Sequence, residues 1–215
     1  MRKYINRNSI IVLLFASLLF VALTSSYNSI FIKTIDQNVL SWMIEHTEIS
    51  LVYVFKFLTL LASWQCIILI SIALLVFGRD KLKMLLIPSI TLISVLSNET
   101  IKNVIVRPRP NVLALTQASG YSMPSGHSLT AMVFYGLIMI LVVANMKDRR
   151  YRNLTRVLLS MLIILIGVSR MYLRVHYLSD VVTGFMLGLM IISVIYNVKV
   201  GVFDNITSYL EESNE

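Results

Sequence analysis

Long apolar runs cut by short polar segments organise this chain from end to end. Six of them approach the roughly 20 residues that a helix needs to cross a bilayer: residues 9–24, 64–77, 82–106, 125–145, 154–169 and 179–198. The second is short, and residues 58–63 extend it if the helix begins early. Residues 28–63 are patterned differently. There Phe31, Ile35, Val39, Trp42 and Met43 are mixed with Lys33, Asp36, Glu45, His46 and Glu48. Such a mixture predicts one or two amphipathic helices lying at the membrane interface, with His46 an ordinary surface residue. Within that region, residues 49–61 are apolar enough to read alternatively as a separate partial crossing. The expected fold is all-α, a polytopic membrane helix bundle of six transmembrane helices with interfacial amphipathic helices between the first and second. No polar or Gly/Ser-rich linker divides residues 1–215, which predicts a single integral membrane domain.

Composition sharpens the class. The chain is 57% hydrophobic and only 14% charged, where a soluble domain carries about 25% charged residues. Its net charge of +8 predicts no nucleic-acid partner, because no basic patch is interleaved with aromatics. The cations flank the apolar runs, where they meet anionic lipid headgroups. Cys66 is the single cysteine, which excludes an internal disulfide and leaves a small apolar side chain. No obligate protein partner is expected.

The loop charges set an orientation. Arg2, Lys3 and Arg7, then Arg79, Lys81 and Lys83, then Lys147, Arg149, Arg150, Arg152 and Arg156 all fall on one side of a six-span arrangement. The positive-inside rule makes that side cytoplasmic, with both termini. The first span lacks a small-x-small cleavage site and is expected to remain as a helix. The motif Asn98-Glu99-Thr100 matches a glycosylation acceptor by chance, since it lies inside a span, as does Asn205-Ile206-Thr207 on the cytoplasmic side. On the opposite, outer side this topology gathers three stretches: Lys102 to Arg109-Pro110, Pro124-Ser125-Gly126-His127, and Ser169-Arg170 followed by His176 and Asp180.

Cleaving a phosphate ester requires neutralised oxygens, an in-line nucleophile and a proton for the leaving group. Lys102, Arg109 and Arg170 offer the cations; arginine suits forked contacts and lysine acts as a point charge. Ser125 and Gly126 stand where the fourth span begins, and a helix N-terminus favours an anion. Gly126 admits close backbone approach and Ser125 offers a hydroxyl. His176 and Asp180, four residues apart, share a face if the sixth span begins slightly early. The carboxylate then fixes one ring nitrogen and frees the other to attack phosphorus. His127 is left as proton donor and later base. Without a carboxylate cluster of metal-ligand spacing, the cations stand in for a metal, so neither metal nor cofactor is expected. Taken singly, each piece also suits a helix cap or a snorkelling headgroup contact; converging on one face, they suit a site.

Lys102-Asn-Val-Ile-Val-Arg-Pro-Arg109-Pro110, Pro124-Ser125-Gly126-His127 and Ser169-Arg170-Met-Tyr-Leu-Arg-Val-His176-Tyr-Leu-Ser-Asp180 match at every position the K-x6-R-P, P-S-G-H and S-R-x5-H-x3-D motifs. On them the chain resembles the type 2 phosphatidic-acid phosphatase superfamily of integral membrane lipid phosphatases. The first hundred residues match only in layout. The resemblance implies a metal-independent phosphatase with six spans and an outward-facing site in the cell membrane. It implies His176 as nucleophile, Asp180 as its partner and His127 as acid and base, with Lys102, Arg109, Ser125, Gly126 and Arg170 on the phosphate. Arg107 and Arg174 stand outside the motif positions and read as headgroup contacts or surface charge. Vanadium-dependent haloperoxidases share the pocket, but they are soluble, which the apolar spans exclude here. The expected substrate is a lipid phosphate: phosphatidylglycerol phosphate, phosphatidic acid or undecaprenyl diphosphate. The alternatives are a lipid phosphotransferase using an acceptor other than water, and a non-catalytic transporter or scaffold.

Overall fold

The structure, a computed structural model, describes residues 6–212, with side chains described through residue 198. These residues form eight α-helices: α1 (Arg7–Ser26), α2 (Ile30–Glu45), α3 (Ile49–Leu60), α4 (Trp64–Phe77), α5 (Lys81–Ile105), α6 (Gly126–Leu141), α7 (Arg149–Tyr172) and α8 (Leu178–Glu212). A short 3-10 turn, Val143–Asn145, follows α6. Among the described residues, α1, α5, α7, α8 and α6 with its 3-10 turn are long and apolar enough to cross a membrane. The pair α3–α4, bent by 51° at its break, makes a sixth if it counts as one broken span.

The bent pair is the main departure from the sequence pattern. Residues 49–61, read first as interfacial, form α3 and lead straight into α4. Neither proline nor glycine marks the break at Leu61-Ala62-Ser63, and the Leu61 carbonyl accepts a bond from the Tyr135 hydroxyl at 2.7 Å. Only α2 keeps the amphipathic character expected of residues 28–63. Its buried residues are Asp36, Leu40 and Met43, one stripe at helical spacing, while Phe31 and Trp42 face outward. His46 is exposed and stacks on Trp42, as a surface residue would.

Helix α6 is the buried centre, packed on by α5, α7 and α8. Phe134, Leu129, Val133 and Leu137 on α6, with Ile166 on α7 and Ile87 on α5, are wholly or almost wholly buried. Outward positions such as Phe15, Leu18, Leu92 and Ile164 remain exposed, as lipid-facing positions are. The start of α1 lies beside the far part of α8: the Ser9 hydroxyl donates to the Ser193 carbonyl at 3.1 Å. The end of α1 meets the end of α5, where the Tyr27 hydroxyl donates to the Ile105 carbonyl at 3.2 Å. Gly184 lets α8 approach α6 closely; a Cβ there would stand 2.5 Å from the Ser125 carbonyl oxygen.

Helix α5 carries the polar groups toward the site. Its buried side chains are Met84, Ile87, Thr91, Ser94, Asn98 and Lys102, a stripe that turns from apolar to polar as the helix rises. Asn98 is 1% exposed, which makes it a poor glycosylation acceptor, whereas Asn205 belongs to the part of α8 whose side chains are not described. The helix ends at Val106 in the left-handed region (φ 56°), whose amide donates to the Lys102 carbonyl. This is a strained conformation for a β-branched residue, and the chain turns there into the segment bearing Arg107 and Arg109.

Candidate active site

Four helix ends meet at the site: the last turns of α5 and α7 and the first turns of α6 and α8. Lys102, Arg109, Gly126, His127, Arg170 and His176 line one cavity of about 840 Å³. Asp180 and Ser125, both fully buried, stand behind this lining. Helix α8 begins at Leu178, so His176 precedes the helix instead of sharing its face with Asp180, yet its ring still reaches back to the carboxylate.

The two nitrogens of His176 have separate tasks. Nδ1 lies 3.5 Å from Asp180 Oδ2 and 3.4 Å from Ser122 Oγ. Nε2 faces the cavity, 3.1 Å from the Arg109 guanidinium nitrogen Nη1. A guanidinium only donates, so Nε2 carries the lone pair and Nδ1 the proton. Burial pushes the imidazole down to about 4, only partly offset by Asp180, and Arg109 and Arg170 push it the same way. At neutral pH the ring is uncharged and held in one tautomer, with the Nε2 lone pair toward the cavity.

The cations are unequally partnered. Lys102 Nζ is 3.0 Å from Glu99 Oε1. Arg109 donates to the carbonyls of Gly120, Ser119 and Val175, and Arg170 donates to Thr59 Oγ1 at 2.6 Å while its Nε finds no partner. Among the described residues neither Arg109 nor Arg170 has a carboxylate within ion-pair range. Both guanidinium groups therefore line the cavity beside His176, Arg109 on its Nε2, without a carboxylate at ion-pair distance among the described residues. Gly126 leaves room beside them: a Cβ there would lie 3.5 Å from Asn98 Nδ2 and 3.8 Å from Lys102 Nζ. Ser125 is fully buried at the N-cap of α6. Its Oγ accepts from Ser128 Oγ at 2.9 Å and its amide donates to the Asp180 carbonyl at 2.9 Å, tying α6 to α8.

Arg107 corrects the sequence reading outright. It is 5% exposed, neither a surface charge nor a headgroup contact. It ion-pairs with Asp36 and Asp180, both at 2.6 Å, because two buried carboxylates need a shared cation. Arg174, at φ 62°, donates to Thr47 Oγ1. Sequence reasoning also missed Asp36, Ser122, Asn98 and Thr59. For Asp36 a signal existed, since it falls on the buried stripe of α2 with Leu40 and Met43.

Away from the cations the cavity turns apolar. It continues between α4 and α5 along Trp64, Ile68 and Leu75 on one side and Leu92 and Val95 on the other.

A family model, the PAP2 superfamily, matches residues 83–203, more than half of the sequence. The chain belongs to the PAP2 superfamily. All three motif stretches lie inside the matched region, and α1 to α4 lie before it. Phosphatidylglycerophosphatase B of Bacillus subtilis (strain 168) is 34% identical over 119 residues, 55% of this chain and 52% of that protein. The aligned stretch thus spans about half the length of this relative. The crystal structure of a transmembrane PAP2-type phosphatidylglycerolphosphate phosphatase from Bacillus subtilis superposes with a TM-score of 0.79 at 25% identity, covering 90% of this chain and 96% of that one. Aquifex aeolicus LpxE gives a TM-score of 0.58 at 21% identity, covering 75% of this chain and 93% of the other, and shares the fold.

Proposed function

We propose that this PAP2 protein is a membrane lipid phosphatase working through a phosphohistidine. The observation that carries the reading is the pair of guanidinium groups, Arg109 and Arg170, that line the cavity with His176, Arg109 on its Nε2, with no carboxylate at ion-pair distance among the described residues. A phosphate dianion is the complementary ligand. Lys102 and the Gly126 backbone complete the cradle at the start of α6.

In the first step His176 Nε2 forms a bond to phosphorus as the bond to the lipid oxygen breaks, and His127 gives that oxygen a proton. Asp180 accepts the Nδ1–H and stabilises the cationic phosphohistidine. In the second step His127 takes a proton from water, the water oxygen bonds to phosphorus, and the P–N bond breaks to release phosphate. The charge that develops on the oxygens is met by fixed cations, which on this reading do the work a metal ion would do. The apolar groove between α4 and α5 suits the hydrocarbon part of the substrate. Candidate substrates are phosphatidylglycerol phosphate, phosphatidic acid and undecaprenyl diphosphate, the first favoured by the likeness to phosphatases of that name.

The test is phosphate release from these three lipids by purified protein in excess chelator. Turnover of at least one is expected; a strict requirement for added magnesium, or no turnover of any, contradicts the proposal.

The same reading assigns a side of the membrane. Helices α5 and α7 are 25 and 24 residues long, about 36 Å from end to end. Lys81 and Arg149 begin them, and Lys102 and Arg170 lie in their last turns. The site is therefore a bilayer's width from the basic loops, and the positive-inside rule sets it on the outer face of the cell membrane. In intact cells an impermeant thiol reagent is expected to label Ser119→Cys and not Lys147→Cys. Labelling of Lys147→Cys alone reverses the orientation.

A further inference from the structure

Behind the catalytic pair lies a second layer of buried charge, anchored on a helix outside the family match. Asp36, on α2, is 2% exposed. Its Oδ2 accepts from Arg107 Nη2 at 2.6 Å and from Ser179 Oγ at 2.6 Å, and its Oδ1 accepts from the Ser179 amide at 2.9 Å. Arg107 turns its other nitrogen, Nη1, to Asp180 Oδ1 and Ser179 Oγ, both at 2.6 Å. Its guanidinium lies between the rings of Tyr27, 5.2 Å away, and Tyr177, 4.5 Å away. The second oxygen of Asp180 receives the Ser122 hydroxyl and, at 2.8 Å, the Tyr177 amide, and it faces His176 Nδ1.

We infer that Asp36 and Arg107 form a positioning relay that holds Asp180 against His176. The inference rests on the phosphatase reading above and deepens it. A carboxylate beside a histidine can rotate, and it can be drawn wholly onto a neighbouring cation. Both are prevented here. Arg107 takes only Oδ1, which leaves Oδ2 for the His176 side. Asp36 takes the other arm of the guanidinium, so Arg107 cannot close both of its arms on Asp180. The fork geometry of arginine makes this division possible, and a lysine point charge would not reproduce it. Through this relay α2 is a working part of the site although it touches no substrate.

Two features set Asp36 apart from the charges that touch the reacting atoms. It does not line the cavity that holds Lys102, Arg109, His127 and Arg170, so its loss leaves the phosphate cradle intact. Its side chain also touches only Arg107 and Ser179 among the polar groups described, so it acts on the chemistry through them alone. Tightening of Arg107 onto Asp180 is the expected consequence of losing Asp36, because the released arm finds no other anion.

The test is Asp36→Asn, which keeps the shape and the acceptor for the Ser179 amide, beside Asp36→Glu and wild type, all as full-length protein in one detergent with one phospholipid monoester. The relay predicts that Asp36→Asn lowers kcat by about 10-fold or more, the scale on which outer partners of a working histidine act, with KM within about 3-fold. It also predicts that Asp36→Glu recovers part of the loss. Wild-type kcat in folded Asp36→Asn overturns the inference. So does a loss confined to KM, or one that tracks only a lower yield of folded protein and is not recovered in Asp36→Glu. Inactive wild type overturns the phosphatase reading itself and the relay with it, so the two failures are distinct.

Discussion

His176→Ala is expected to abolish turnover, by about 10⁴-fold or more, while leaving the protein folded. The reasoning starts from the two ring nitrogens. Nε2 faces the cationic end of the cavity with its lone pair forward, since Arg109 can only donate to it. On the proposed mechanism, removing the ring removes the atom that bonds to phosphorus, and neither nearby serine stands in for it: Ser122 donates its hydroxyl to Asp180, and Ser125, which accepts from Ser128, does not line the cavity. Because the cations remain, the variant should still bind the lipid phosphate, so the loss falls on kcat. The pH dependence follows from burial. With the ring pushed down to about 4, His176 stays neutral through the physiological range. Protonation of His176 therefore removes activity only as the pH falls toward 4, well below the range in which a free histidine titrates. A wild-type acid limb assigned to His176 near pH 6.5 would contradict the burial seen here.

Arg107→Ala is expected to have the largest effect on stability, a loss of roughly 3–5 kcal/mol. The substitution leaves Asp36 and Asp180, 2% and 0% exposed, as two buried carboxylates without their shared cation. It also removes the guanidinium packed between Tyr27 and Tyr177. Arg107→Lys should be milder, since it keeps the charge and loses the fork. The check is thermal unfolding in detergent: a large drop for alanine and a smaller one for lysine. Equal melting temperatures for Arg107→Ala and wild type would mean that the buried pairing contributes nothing.

These two residues also mark how far the sequence alone could be read. His176 was legible because the motifs and the alternation of helix ends both place it, and the same reasoning brought Lys102, Arg109, Gly126, His127 and Arg170 to one cavity. The polar stripe on α5, from Thr91 through Asn98 to Lys102, follows directly from helical periodicity. Arg107 was not legible. Its role depends on Asp36, seventy-one residues earlier in the chain, and no local pattern reveals such a pairing. The loop between Val106 and Ser125 has no period that would show which side chains turn inward, so Ser122 was missed. The bend between α3 and α4 was hidden for a different reason: Leu61-Ala62-Ser63 carries no helix breaker. Its effect is to bring Thr59 to Arg170, so a residue of the apolar α3 fixes one of the cations that line the cavity. Ser125 shows the converse, a motif residue whose amide joins α6 to α8 through the Asp180 carbonyl while its hydroxyl oxygen accepts from Ser128 on its own helix.

The most direct test of the account is to trap the covalent intermediate. Wild-type protein is mixed with a lipid substrate labelled in the terminal phosphate, quenched in alkali, where phosphohistidine survives, and the labelled peptide is mapped. The account predicts label on His176, absent in His176→Ala and slower both to form and to clear in a His127 variant, because His127 serves both steps. Turnover of wild type with label on another residue, or continued turnover by His176→Ala, would contradict it.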